Sequence, residues 1–225
     1  MAEQLSFDLP ARAALGRDDF LIAPSNAVAL AMVEGGHWPS GKLALCGPAG
    51  SGKTHLAHVW AAQTGARILC ADDLAGCDAD ALATGPLVVE DVPRIAADPE
   101  AQNVLFHLHN LCAARAHPLL LTGRDVPRRW ALSLPDLQSR MEGATAAVLE
   151  DPDDALLAAV LAKLFADRQV TPRPDVIPYL LGRMERSFAA AQTVVDRLDR
   201  AALTERRALT RAFAAGHLGA DGTEA

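Results

Sequence analysis

Gly47-Pro48-Ala49-Gly50-Ser51-Gly52-Lys53-Thr54 fits the pattern G-x-x-x-x-G-K-[ST] at every fixed position, between an apolar run from Lys42 to Cys46 and a helical pattern from His55 to Thr64. No other feature constrains the folding of the chain as strongly. A strand has to end, the backbone has to curl around an anion, and a helix has to begin at once. That is a building unit of a parallel sheet covered by helices. Glycines let backbone N–H groups turn inward, the helix N-terminus adds positive potential, and Lys53 neutralises outer phosphates. Thr54 then offers its hydroxyl to Mg²⁺.

The chain keeps this rhythm. Short apolar runs alternate with longer helical patterns from Asp18 onward, and five of the runs read as strands: Lys42 to Cys46, Arg67 to Cys70, Pro86 to Glu90, Pro118 to Thr122 and Thr145 to Leu149. After Leu149 no strand pattern is visible. Asp151-Pro152-Asp153-Asp154 offers a helix cap, a proline at the first helical position and acids that suit the positive end of the helix. Thr171-Pro172-Arg173-Pro174 ends that helix near Ala166, and further helices follow, with Ser187 and Thr204 as expected caps. Before Asp18, a short apolar cluster is cut off by Pro10 and reads as a tail. The expected division is therefore a tail over 1–16, an α/β domain over 17–150, a helical unit over 151–215 and a second tail over 216–225. With 225 residues, half of them hydrophobic, there is ample chain for such a core.

A phosphate loop also needs an acid at the end of a neighbouring strand to hold the metal and orient water. Leu87-Val88-Val89-Glu90-Asp91 supplies two, and either carboxylate suits either task. His55 with His58, and His107 with His109, lack a third ligand at metal-binding spacing, and Ser51 lacks a nucleophile-elbow context. The cysteines, Cys46, Cys70, Cys77 and Cys112, show no metal or redox spacing and read as reduced thiols. The N-terminus has no signal-peptide pattern and no run is long enough to span a bilayer, so a cytoplasmic location without membrane association is expected. The formal charge of −7 lacks the bulk electrostatics of an autonomous DNA binder.

Five blocks in fixed order carry a family resemblance. Asp19-Phe20-Leu21-Ile22-Ala23-Pro24-Ser25-Asn26 precedes the loop, and the loop runs on into His55-Leu56. Leu121-Thr122-Gly123, Leu134-Pro135-Asp136-Leu137-Gln138-Ser139-Arg140, and Arg183-Met184-Glu185-Arg186 with Asp196-Arg197-Leu198-Asp199-Arg200-Ala201 follow. Over roughly 17–215 the chain resembles the Hda/DnaA-like family of AAA+ proteins. The resemblance implies a P-loop αβα sandwich with a five-stranded parallel sheet and a C-terminal helical lid. It implies ADP or ATP with Mg²⁺ at Gly47 to Thr54, with Asn26, Thr122 and Arg186 as further nucleotide contacts. Thr54, Glu90 and Asp91 are the implied metal-side residues.

The helix-turn-helix DNA-binding domain of DnaA has no counterpart in this chain, which points to the Hda branch. Such proteins restrain replication initiation. Held on the DNA-loaded sliding clamp, the β subunit of the polymerase, they promote hydrolysis of the ATP bound to the DnaA initiator. Arg140 then corresponds to an arginine finger reaching the γ-phosphate of the neighbouring subunit, and Gln4, Leu5, Phe7 and Leu9 resemble a clamp-binding peptide. An adaptor role, or a stand-alone P-loop ATPase, is the alternative, and self-association is left open. Two departures bear on turnover. Glu90 stands where the family usually has aspartate, and the expected sensor II arginine falls on Ala189, leaving Arg186 one turn earlier as its substitute. Thr122 and Asp125 are both candidates for the sensor I position.

Overall fold

The computed structural model describes residues 16–218. The tail residues Gln4, Leu5, Phe7 and Leu9 lie outside them. The first helix, α1 (Pro24–Gly35), is followed by β1 (Lys42–Cys46), the phosphate loop and α2 (Lys53–Thr64). Then come β2 (Arg67–Cys70), α3 (Ala79–Leu82), β3 (Leu87–Glu90), α4 (Pro99–Ala114), β4 (Leu119–Gly123), α5 (Pro135–Glu142) and β5 (Thr145–Val148). All five expected strands are present, each within a residue of its expected bounds. They form one parallel sheet in the order β2-β3-β4-β1-β5.

The period-two geometry of the strands sorts their side chains to two faces. Leu43, Leu45, Val88 and Leu120 point to one face and pack with Leu30, Val33, Leu56 and Trp60 of α1 and α2. Ala44, Cys46, Leu87, Val89, Leu119 and Leu121 point to the other and meet Leu105, Leu108 and Cys112 of α4 and Leu137 and Met141 of α5. The central strands β1, β3 and β4 are covered on both faces, which explains why they read as continuous apolar runs without alternation, while the edge strands β2 and β5 keep exposed positions. Each fully buried leucine contributes about 1.5–3 kcal/mol.

The second unit is all helical: α6 (Asp154–Asp167), α7 (Val176–Leu181), α8 (Phe188–Glu205) and α9 (Arg211–Leu218). It has its own core around Leu161, Phe165, Leu180, Val195 and Phe213. Its caps partly differ from expectation. Ser187 does cap α8, accepting from the N–H of Ala190 at 3.1 Å. The cap of α6 is Asp153, whose carboxylate accepts from Leu156 N–H at 2.7 Å, so Pro152 precedes the cap instead of opening the helix. Thr204 lies inside α8 with its hydroxyl donating back to the carbonyl of Arg200, while Thr210 accepts from the N–H of Phe213 at the start of α9. Thr204 fails as a cap because α8 stays amphipathic through it, and helix continuation satisfies its backbone. Helix α9 runs to Leu218, past the Gly216 at which a tail was expected. No helix of the described residues is long and apolar enough to cross a membrane.

Candidate nucleotide-binding site

A cavity of about 470 Å³ opens beside the loop that follows β1. Its walls come from three parts of the chain: Asp19, Phe20 and Leu21 ahead of α1, the loop residues Ala49, Gly50, Gly52, Lys53 and Thr54, and lid residues of α6 and α8. Asp91 and Arg124, one residue beyond β3 and β4, complete it. The site stands where parallel-sheet folds place their ligands, at the carboxyl ends of the strands.

Loop and lid touch directly. The N–H of Phe188 donates to the carbonyl of Gly50 at 3.1 Å, so a loop carbonyl occupies the first turn of α8. Gly50 adopts φ +69°, and a Cβ there would stand 2.9 Å from Ala189 N and 3.0 Å from Ala189 Cβ. Gly52, at φ +97°, faces the rings of Phe20 and Phe188. Only glycine satisfies both the left-handed backbone and the close approach.

Lys53 is 9% exposed, and its ammonium donates to the carbonyls of Gly47 at 2.7 Å and Pro48 at 2.6 Å. Burial holds its pKa below the usual lysine value, against the opposing charge of Asp91. Asp91 takes a left-handed backbone, φ 55°, and its N–H donates to the hydroxyl of Thr122 at 2.9 Å. Of the two acids that end β3, Asp91 lines the cavity and Glu90 does not; Glu90 Oε1 is buried with no hydrogen-bond partner among the described residues. The Ser51 hydroxyl is buried and equally unpartnered.

Three expected nucleotide contacts are placed elsewhere. Asn26 is buried, donating from Nδ2 to the carbonyl of Leu21 and accepting at Oδ1 from the N–H of Ala23, both at 2.9 Å. Its amide is consumed in shaping the turn that sets Phe20 and Leu21 on the cavity wall. Thr122 is buried and spends its hydroxyl on Asp91, so it positions a wall residue without lining the cavity. Arg186 is exposed and paired with Asp154 at 3.1 Å. It precedes the cap of α8, so helical spacing does not carry it to the loop; Ala189 lines the cavity instead.

Sequence reading missed Arg124 and Lys163. Lys163 of α6 bridges Asp19 at 2.8 Å and Asp167 at 3.0 Å, joining the lid to the segment before α1. These partners hold its pKa above, and that of Asp19 below, the usual values. The i,i+4 pairing of Lys163 with Asp167 is visible in sequence as an ordinary surface pair, but nothing in sequence points to Asp19.

Arg140 lies at the other end of the sheet. Helix α5 ends shortly before Thr145, which pairs with β1 next to Leu43 at the end of the strand remote from the loop. One strand of this length spans roughly 13 Å at ~3.3 Å per residue. The Arg140 guanidinium is exposed and sits 5.8 Å from the centre of the Phe106 ring. The same end carries Lys42, 6% exposed, whose pKa is lowered by burial and by Arg140, and His109, pushed down to about 4 by burial and then by Lys42.

The residues around the cavity fit a nucleoside di- or triphosphate with Mg²⁺. A buried lysine, inward-turned glycines, the Thr54 side chain and the Asp91 carboxylate form the set of groups that such a ligand needs. Residues 154–218 match the family model described as Hda, lid domain. Among solved structures, domain III of the Thermotoga maritima replication initiation protein DnaA superposes with a TM-score of 0.80 at 16% identity, covering 93% of this chain and 98% of that one. DnaA from Aquifex aeolicus bound to AMPPCP gives 0.67 at 20% identity, over 84% of this chain and 68% of that one. Thermotoga maritima RuvB gives 0.65 at 20% identity, over 87% and 67%. These likenesses establish an AAA+ fold with a helical lid.

Proposed function

We propose, for a chain that belongs to the Hda/DnaA-like AAA+ family, that it restrains replication initiation by stimulating hydrolysis of the ATP bound to the DnaA initiator. ADP or ATP with Mg²⁺ is held at residues 47–54. Gln4, Leu5, Phe7 and Leu9 tether the protein to the sliding clamp, which brings it to the replisome in the cytoplasm.

The observation that carries this reading is the position of Arg140, exposed and at the end of the sheet remote from its own phosphate loop. From there it cannot reach a phosphate bound at Lys53. It can reach one presented by a neighbouring subunit. In hydrolysis, water attacks the γ-phosphorus and the bond to the β–γ bridging oxygen breaks. The guanidinium donates N–H groups to oxygens whose charge is redistributed in the transition state, an effect worth ~10³–10⁵ in rate in related systems.

The chain's own site works as a structural clasp. Lys53 turns from the Gly47 and Pro48 carbonyls to pair with phosphate oxygens, and Asp91, held by Thr122, faces the metal side with Thr54. Bound Mg²⁺ supplies neutralisation of the phosphate charge. Ala189 supplies no cation from α8, which agrees with weak turnover by this chain alone.

The test follows the fate of labelled ATP preloaded on DnaA, with DNA-loaded clamp and ADP. The unaltered protein accelerates hydrolysis, Arg140→Ala abolishes the acceleration while keeping clamp binding, and a tail with Gln4, Leu5 and Phe7 changed to Ala loses both. If Arg140→Ala stimulates as well as the unaltered protein, the finger reading fails and the adaptor role replaces it.

A further inference from the structure

The outer face of the lid carries a groove of about 590 Å³ lined by Arg173, Arg183 and Arg211, with Tyr179 in its wall. The backbone N–H of Arg173 donates to the carbonyl of Leu209 at 3.1 Å, which pins the segment before α7 to the segment before α9 and brings Arg173 beside Arg211. The guanidinium of Arg183 lies 4.6 Å from the centre of the Tyr179 ring and that of Arg211 lies 5.3 Å from the same centre. Two like charges are thus held no further apart than about 10 Å, one Debye length at moderate salt. Cation–π contact offsets part of their repulsion.

No hydrogen-bonding or ion-pair partner for these three guanidinium groups exists among the described residues. The only carboxylate on the walls is Asp175, and no ion pair joins it to the arginines. Other arginines do find acids, Arg115 with Asp80, Arg94 with Asp72 and Arg168 with Asp196. In the groove three arginines without such a partner gather around one ring, on a chain whose formal charge is −7.

Arginines laid against a ring keep their N–H edges free for forked recognition of oxyanions. The groove is open along its length, lacks a free strand edge for main-chain pairing, and offers only Ala212 and Ala215 as apolar wall residues. A peptide would find neither backbone partners nor a hydrophobic anchor there. A nucleic-acid strand needs neither, because its phosphates supply the affinity and guanidinium planes accept its bases. We infer that this lid groove binds the phosphate backbone of a short stretch of single-stranded nucleic acid through Arg173, Arg183 and Arg211.

The test uses the full chain and a fluorescein-labelled fifteen-nucleotide oligothymidylate, read by anisotropy across a salt series. Three phosphate contacts on a single strand predict a slope of about −2 in log K against log salt. Changing all three arginines to Gln is expected to weaken binding at least tenfold and flatten the slope, with ADP affinity and the thermal midpoint unchanged. Changing them to Lys keeps the charge, removes the forks and gives an intermediate loss, which reports on the groove even if the Gln variant folds poorly. Tyr179→Leu, which removes the platform, loosens binding about threefold. Three results overturn the inference: oligonucleotide binding unaffected by the arginine changes, equal competition by polyglutamate of the same charge, or, with the phosphate loop saturated by ADP, binding of tripolyphosphate that depends on the three arginines without any binding of the oligonucleotide.

Discussion

Replacing Gly50 by alanine tests the contact between phosphate loop and lid. An L side chain at φ +69° costs about 1–2 kcal/mol in the left-handed region. The new methyl would also stand 2.9 Å from Ala189 N and 3.0 Å from Ala189 Cβ, and neither is the movable end of a long side chain. Overpacking of this kind costs a further 1–3 kcal/mol, roughly. Shifting α8 to relieve it would stretch the 3.1 Å bond from Phe188 N–H to the Gly50 carbonyl, worth about 1 kcal/mol. The expected loss is therefore about 3–6 kcal/mol. Gly52→Ala serves as the internal standard: its backbone is as left-handed, at φ +97°, but its nearest neighbour is a Phe20 ring carbon at 3.3 Å that can tilt away. That change should cost only about 1–2 kcal/mol. Urea unfolding followed by circular dichroism measures both, and proteolysis of the lid reports its release from the loop. Equal losses for the two variants, or a Gly50→Ala protein within about 0.5 kcal/mol of the unaltered one, would refute a lid seated on the loop.

Three further outcomes are expected. Thr122→Val leaves the Asp91 N–H without its partner, costing about 1–3 kcal/mol; ADP affinity measured with Mg²⁺ should fall more than affinity without it, whereas an equal fall would mean that Asp91 does not serve the metal side. Ser187→Ala removes the cap on Ala190 N–H and should lower stability by about 1 kcal/mol, checked by denaturant midpoint. His109, buried with a pKa near 4 against 6.5 for a free histidine, stays neutral in the fold while the unfolded chain takes up a proton. Its contribution is fully present above pH 6.5 and is lost as pH falls from there towards 4, by up to about 3 kcal/mol at 1.36 kcal/mol per unit. The difference in stability between the unaltered protein and His109→Gln should change over that window, and a constant difference would show that His109 does not titrate as stated.

Much of this protein is legible from local chemistry. The phosphate loop announces itself because glycines, a lysine and a helix start must be contiguous to wrap an anion, and Ser187 is read as a cap because it acts on a group three residues away. The central strands β1, β3 and β4 stand out because burial on both faces leaves little room for polar residues, whereas the edge strands β2 and β5 keep exposed positions. Local signals mislead where two candidates compete, as Thr204 and Thr210 do, since continued packing of α8 on the lid core decides between them. The sequence by itself thus determined the fold class, the loop that can hold phosphate and the helical lid, all properties encoded within a few neighbouring residues.

Tertiary structure alone decided which polar atoms meet. Asn26 and Thr122 look like ligand contacts in sequence, yet their hydrogen-bonding capacity is spent on Leu21, Ala23 and Asp91 once the layers close. Lys163 gains its role from Asp19, far away along the chain, and Ala189 reaches the cavity where Arg186 does not because α8 begins at Phe188. The separation of Arg140 from its own loop follows from strand direction and from the placing of β5 beside β1. Contacts of this kind arise from how layers register against each other, which a pattern of neighbouring residues does not encode.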